Sequence, residues 1–255
     1  MNGAPRAVAG AEPVPAGRDA ILEVRDLWSG YGDTMVVRGL DLRVPAGQTV
    51  VIIGPNGHGK TTLLRTISGL VKRRRGEVWL AGERVDGRSA EYLATLGMVH
   101  IPQGDLLFPD MTVEENLLMG AFLPRSWRKR HAALEHVYGL IPGLRERAGQ
   151  RARTLSGGER RLVGLGRGLM REASILLIDE PSLGLAPVAI ERVYAAIRDI
   201  HAQGTTILLV EENFTHIGDV ADIVHVVEMG SIVRTGPLEE LSRDQTVVQT
   251  YLGTL

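Results

Sequence analysis

The chain has no cysteine, which excludes disulfides and thiolate metal sites and fits a reducing compartment. It has almost no net charge. The 29 Lys and Arg are set against 30 Asp and Glu, so the balance of −1 gives no electrostatic reason to expect nucleic acid or an anionic lipid surface as partner. It also lacks any apolar run near the roughly 20 residues that span a bilayer. The longest runs, such as Ile175 to Ile178 and Ile207 to Val210, have the length of core strands. No internal repeat is visible, and compositional bias is confined to Met1 to Arg18, rich in Ala, Pro and Gly but without the continuous apolar segment of a signal peptide. This stretch reads as a disordered tail over residues 1–20, ahead of one domain over 21–255. The expectation is a cytoplasmic protein that reaches a membrane only through a partner.

What is present is ordinary globular material: 255 residues, 44% hydrophobic and 23% charged, enough for one large or two small domains. Apolar strand-like runs alternate with helical stretches, which points to an α/β fold with a largely parallel sheet. Thr49 to Ile53 runs into a Gly-rich loop, Ser174 to Ile178 ends in Asp179-Glu180, and Thr206 to Val210 ends in Glu211-Glu212. None alternates as a half-exposed strand would, so both faces should be covered by helices. All three end in polar or Gly-rich residues, where open α/β sheets place their ligands. Shorter extended segments at Leu22 to Val24, Met35 to Leu40, Leu42 to Val44 and Gly76 to Ala81 suggest a small antiparallel sheet beside the main one. Residues 104–154 read as a helical insertion, with helices over Val113 to Phe122 and Trp127 to Leu140 broken at Pro124 and Pro142.

Gly54-Pro55-Asn56-Gly57-His58-Gly59-Lys60-Thr61 satisfies G-x-x-x-x-G-K-S/T between a strand and a helix, the context a phosphate-binding loop requires. Its glycines let backbone N–H groups converge on phosphate oxygens, and the following helix, which begins with Thr62 among its first residues, turns its positive end toward them. Lys60 is placed to reach the β- and γ-phosphates of ATP, and Thr61 to give its hydroxyl to Mg²⁺. His58 occupies a variable position of the loop and takes no role of its own. Asp179-Glu180 is the natural companion: the Asp holds Mg²⁺ through water, and the Glu polarises an attacking water.

Between these elements stands Leu155-Ser156-Gly157-Gly158-Glu159, and here the sequence resembles the ABC ATPase family, whose signature is L-S-G-G-Q/E. Two glycines and a serine ahead of a helix form a second anion site. The resemblance covers about Leu22 to Gly253. It implies a P-loop NTPase (RecA-like) core with a small antiparallel β subdomain and an α-helical subdomain. It further implies that Ser156, Gly157 and Gly158 meet the γ-phosphate held by the other subunit of a dimer, that Tyr31 stacks on adenine, and that Gln103 reaches Mg²⁺ and the attacking water. Pro181 to Leu185 matches the loop that crosses the dimer interface. Thr112 to Leu117, Pro181 to Pro187 and Val210 to Asn213 resemble the ATP-binding subunits of branched-chain amino acid importers, with urea and short-amide importers as relatives.

The implied partners are two transmembrane permease subunits, a solute-binding protein, and a second ATPase, identical or paralogous. They would hold the chain on the inner face of the cell membrane, and nucleic acid is not among them. Two positions depart from the family. Glu212 stands where most members place a His that contacts the γ-phosphate, and a carboxylate there is unfavourable unless protonated, metal-linked or turned away. Slower hydrolysis, or a regulatory subunit with weak turnover, is the corresponding alternative. Ala186 replaces an Asp that many members carry in the crossing loop. The basic clusters Lys72 to Arg75 and Arg128 to Arg130 lack interleaved aromatics and read as solvated faces. Gly164 to Gly168 follows the signature and should be helix rather than a dinucleotide loop. His131 and His136 do not share a helical face for metal ligation. The length leaves no room for the second cassette or long coiled coil of soluble repair or translation ATPases.

Overall fold

The computed structural model describes residues 20–104, 106–212 and 214–243; the tail expected over residues 1–20 lies outside them except for Ala20. The three apolar runs are β3 (Thr49–Ile53), β7 (Ile175–Asp179) and β8 (Ile207–Glu211), and every residue in them is buried. They pair in parallel within a six-stranded sheet of order β10-β9-β3-β8-β7-β6, with β6 at Met98–Ile101, β9 at Ile223–Glu228 and β10 at Ser231–Gly236. Only β10 runs antiparallel, against β9.

Successive residues of these strands enter different cores. Val51, Ile53, Leu176, Ile178 and Leu209 join one apolar cluster, and Val50, Ile52, Ile175, Leu177 and Leu208 join the other. The first cluster is shared with α3 (Val113–Leu118), α5 (Arg130–Leu140), α6 (Pro142–Glu146), α7 (Gly157–Leu169) and α8 (Pro187–Ala202). The second is shared with α1 (Lys60–Ile67), α2 (Ala90–Thr95) and the antiparallel sheet. Burial on both faces is what removes the alternation from the sequence, and each buried Val, Leu or Ile contributes about 1.5–3 kcal/mol. The short α9 (Leu238–Leu241) packs on β9 and β10.

The antiparallel sheet has order β2-β1-β4-β5, with β1 at Ala20–Tyr31, β2 at Thr34–Pro45, β4 at Arg73–Leu80 and β5 at Glu83–Arg84. The separate segments read at Met35 to Leu40 and Leu42 to Val44 are one strand. No turn falls between them; β1 and β2 form a long hairpin closed at Gly32-Asp33, with register shifts taking up the irregular pattern. The two prolines in the helical region also act differently from the expectation. Pro124 opens α4 (Pro124–Arg128) and Pro142 opens α6, each as a first-turn residue whose missing N–H costs nothing there. The stretch from Val113 is a short helix with a capping box between Thr112 and Glu115, continued by a tight turn over Met119–Ala121. Gly164 to Gly168 lies inside α7, as its position after the signature suggested.

Candidate functional site

The site gathers at the ends of β3, β7 and β8. After Ile53 the chain turns through Gly54, where an added Cβ would lie 2.4 Å from the Val227 carbonyl of β9, so the loop begins pressed against the neighbouring strand. Gly57 and Gly59 have φ of 82° and 100°, which L side chains rarely adopt, and α1 starts at Lys60 directly behind them. Pro55, Asn56 and His58 complete the loop, with Asn56 exposed and Thr62 buried in the first turn of α1.

Lys60 is buried, and its ammonium donates to the carbonyls of Gly54 at 2.7 Å and Pro55 at 3.2 Å and pairs with Glu180 Oε1 at 3.1 Å. The other oxygen of Glu180 accepts from Gln103 Nε2 at 3.0 Å. Thr61 donates its hydroxyl to Asp179 Oδ1 at 2.9 Å. Five residues named from sequence, Lys60, Thr61, Gln103, Asp179 and Glu180, are thus joined by direct bonds. Glu180 is held at φ 44°, a left-handed conformation that costs a non-glycine residue about 1–2 kcal/mol and persists because its N–H is bound to the Val210 carbonyl at 3.0 Å.

Asp179 carries the chemical signal for a metal. It is 1% exposed, and burial pushes its carboxyl above the ordinary range, opposed by the Thr61 hydrogen bond. Its Oδ2 is buried with no hydrogen-bond partner among the described residues. A carboxylate oxygen left without a donor beside a threonine hydroxyl fits a hard divalent cation that takes oxygen ligands and, in a nucleotide site, completes its shell with phosphate and water. Among the described residues no three His, Cys, Asp or Glu converge.

The remaining residues fall into three places. Tyr31 is half-exposed at the tip of the β1–β2 hairpin, and Val36 of the same hairpin lies against Gly59 of the phosphate loop. Among the described residues no hydrogen bond or ion pair joins Ser156, Gly157 or Gly158 to the Lys60–Glu180 cluster. Ser156 caps α7: its Oγ accepts from Glu159 N–H at 3.3 Å and its own N–H donates to Glu159 Oε2 at 2.8 Å. That backbone N–H, with the Ser156 hydroxyl and Arg147, holds the Glu159 carboxyl below its usual range. Gly158 lies so close to α8 that a Cβ would sit 2.5 Å from that of Ala189. Glu212 is exposed, and among the described residues no bond links its side chain to Lys60, Asp179 or Glu180. Its carboxylate is therefore not held against the phosphate-loop cluster.

Three features were not read from sequence. His58 is tied to the β9–β10 turn: its carbonyl accepts from Gly230 N–H at 3.1 Å and its Nδ1 from Met229 N–H at 3.4 Å. Glu211 is buried and binds Ser182 and Tyr194, and Arg161 is buried beneath the crossing loop. The sequence reading left Met229-Gly230 and Arg161 unremarked, and named Glu211 only as part of the polar end of its strand and of the Val210 to Asn213 match.

Residues 37–183 match the family described as ABC transporter. The chain is 36% identical over 223 residues to the high-affinity branched-chain amino acid transport ATP-binding protein BraG of Pseudomonas aeruginosa, covering 88% of this chain and 95% of that protein. It is also 36% identical over 247 residues to the Nod factor export ATP-binding protein I of Cupriavidus pinatubonensis, covering 94% of this chain and 74% of the other. Among solved structures, the ADP conformation of an ATP-binding cassette of an ABC transporter superposes with a TM-score of 0.82 at 27% identity, over 92% of this chain and 100% of that one.

Proposed function

The chain belongs to the ABC transporter family of ATP-binding, ATP-hydrolysing subunits, and on that premise we propose that it powers import of branched-chain or other hydrophobic amino acids. The observation that carries the chemistry is the bonded path Thr61–Asp179 and Lys60–Glu180–Gln103 at the mouth of the phosphate loop. Backbone N–H groups of Gly57 to Thr61 cradle the β- and γ-phosphates of ATP, and Tyr31 stacks on adenine. The γ-phosphate competes with Glu180 for the Lys60 ammonium, so substrate binding releases the carboxylate it needs as base. Glu180 then takes a proton from water, whose oxygen forms a bond to the γ-phosphorus while the bond to the β-bridging oxygen breaks, giving ADP and phosphate. Gln103, bonded to Glu180, orients that water and senses its loss. Thr61 and Asp179 would hold Mg²⁺, which would supply neutralisation of phosphate charge.

Ser156 to Gly158 complete the second site. They are capped, exposed at Ser156 and remote in contact from the chain's own Lys60, which fits service to the nucleotide of a second ATPase, identical or paralogous. ABC ATPase subunits work with transmembrane permeases, and among the described residues no helix is long and apolar enough to cross a membrane. A cleft of about 310 Å³ beside Pro102 and Gly104, rimmed by the exposed Phe108, Met119 and Phe122, suits a cytoplasmic segment of such a permease. The chain would then sit peripherally on the inner membrane face, with a solute-binding protein opposite.

The substrate reading rests on the transport relative, and the equally similar export relative favours a second: the same motor driving export. Reconstitution with its permeases in vesicles tests both. ATP-driven leucine accumulation supports the amino-acid reading, urea or acetamide accumulation the amide alternative, and movement in the opposite sense would refute import.

A further inference from the structure

Two buried charged side chains that the hydrolytic path does not use flank the crossing loop at Ser182-Leu183. On the strand side, Glu211 is 5% exposed and accepts four hydrogen bonds. Its Oε1 takes Ser182 N–H at 3.1 Å and the Tyr194 hydroxyl at 2.8 Å; its Oε2 takes the Ser182 hydroxyl at 2.9 Å and Glu212 N–H at 3.3 Å. On the helix side, Arg161 of α7 is 6% exposed and reaches the same loop, Nη2 donating to the Leu183 carbonyl at 3.4 Å. Its Nε and Nη1 are buried with no acceptor among the described residues.

The two holds are unequal. The carboxylate is fully engaged, and it joins the loop to the strand end that carries Glu212. The guanidinium is taken out of water with one long bond, an expensive arrangement for a group with five donors. A buried donor set of this kind favours any movement that brings more loop carbonyls to it. Leu183 is 41% exposed, and its N–H rests on the Glu180 carbonyl at 3.3 Å, so the residue that Arg161 holds is also bonded to the end of β7. Ala186, the residue that departs from the family, has no side-chain polar group with which to act here.

We propose that Arg161 and Glu211 are positioning residues that clamp the crossing loop from two sides, so that the chain's own phosphate site and the signature helix serving the partner's nucleotide move together. The inference rests on the ATP-bridged dimer proposed above. The path runs from Glu180, whose carbonyl accepts from Leu183 N–H, through Leu183 and Arg161 into α7, five residues from Ser156, with Glu211 holding the adjacent Ser182. Each link is a direct hydrogen bond or one peptide unit. Binding at either end biases one movable element, which is the physical requirement for coupling.

The test measures kcat, KM for ATP and the Hill coefficient of the full-length dimer, together with its thermal stability. The variants are Arg161→Met, Arg161→Lys, Glu211→Gln and Ser182→Ala, with Tyr194→Phe as control because it removes a bond to the same carboxylate without touching the loop. Loss of the clamp should lower kcat about tenfold with KM within about twofold and bring the Hill coefficient from above 1 to about 1. Arg161→Lys should recover part of the loss, and Tyr194→Phe should lower stability while leaving kcat and the Hill coefficient as in the wild type. Ser182→Ala, a half-buried loop change, keeps the test open if a buried-charge variant fails to fold. Wild-type kcat and cooperativity in Arg161→Met and Ser182→Ala would overturn the clamp, as would equal losses in Tyr194→Phe and Glu211→Gln. A wild type that hydrolyses as a dimer with no cooperativity also overturns it. A wild type that neither dimerises nor hydrolyses ATP would instead remove the dimer reading on which the clamp depends.

Discussion

Replacing Asp179 by Asn should stabilise the free chain and disable the enzyme. Asp179 is 1% exposed, its Oδ1 is satisfied by Thr61 at 2.9 Å, and its Oδ2 has no partner among the described residues. Asparagine keeps the shape and the Oδ1 acceptor and removes the buried charge, so a gain of about 1–2 kcal/mol is expected from relieving a charged, unsatisfied acceptor. For a domain of this size that is a rise in Tm of roughly 2–6 °C. The pH dependence has a fixed sign. Burial raises the folded carboxyl above its ordinary value of 3.8, so the folded state holds a proton that the unfolded state has lost. The penalty is fully present above the folded pKa and shrinks as pH falls toward the unfolded one, and the advantage of the Asn variant shrinks with it. Saturating Mg-ATP should reverse the order. A ligand at a hundredfold excess over its Kd adds about 2.7 kcal/mol to the protein that binds it, and the variant lacks the metal-holding carboxylate. Urea unfolding of both proteins, with and without Mg-ATP, measures all of this. An Asn variant less stable than the wild type without nucleotide, or equally stabilised by Mg-ATP, would refute the reasoning.

Three further expectations follow from the same geometry. Burial drives the His100 and His225 imidazoles down to about 4 from 6.5, so each is neutral in the fold and must charge on unfolding. Their contribution is fully present above 6.5 and is lost as pH falls toward 4, costing about 2 kcal/mol each between pH 7 and 5; urea melts at both values should show it, and His225→Gln should flatten it. Gly158→Ala drives a methyl to within 2.5 Å of Ala189 Cβ, so about 1–3 kcal/mol of stability and most ATPase activity should go, and Ala189→Gly should restore both. Glu212→His should raise ATP turnover of the assembled transporter by putting an imidazole able to donate to the γ-phosphate at a position whose present side chain is exposed and bonded to none of the cluster; unchanged turnover would refute a part for this position in hydrolysis.

The sequence named the residues that cluster at the strand ends more fully than the strands and turns around them, for physical reasons. Lys60, Thr61, Asp179 and Glu180 were legible because phosphate and metal chemistry admits few residue types at those spacings, and the buried strands before them carry no alternation. Gln103 was legible only through family resemblance, being an exposed loop residue whose meaning comes from its bond to Glu180. β6 escaped notice because it is four residues long with a histidine inside, and β9 because His225 breaks its apolar run; His225 is buried, His100 half-buried, and both are neutral at pH 7. The β1–β2 hairpin was divided too finely because register shifts interrupt its period. Pro124 and Pro142 were read as stops, though proline is equally at home in a first turn, and only packing decides which. Arg161 went unread, and Glu211 was named without its role, because nothing in a chain of letters tells a buried charge from a solvated one.

The central claim is that Glu180, released from Lys60 by the γ-phosphate, activates water in a dimer closed by ATP. Steady-state ATPase activity of the purified chain against Glu180→Gln, with gel filtration of both in ATP and Mg²⁺, tests it most directly. The account predicts turnover in the wild type, loss of about a hundredfold or more in the variant, as removal of a general base entails, and a variant trapped as an ATP-bound dimer. A variant that hydrolyses ATP at the wild-type rate would contradict the assignment of Glu180, and one that binds ATP tightly yet remains monomeric would contradict the dimer.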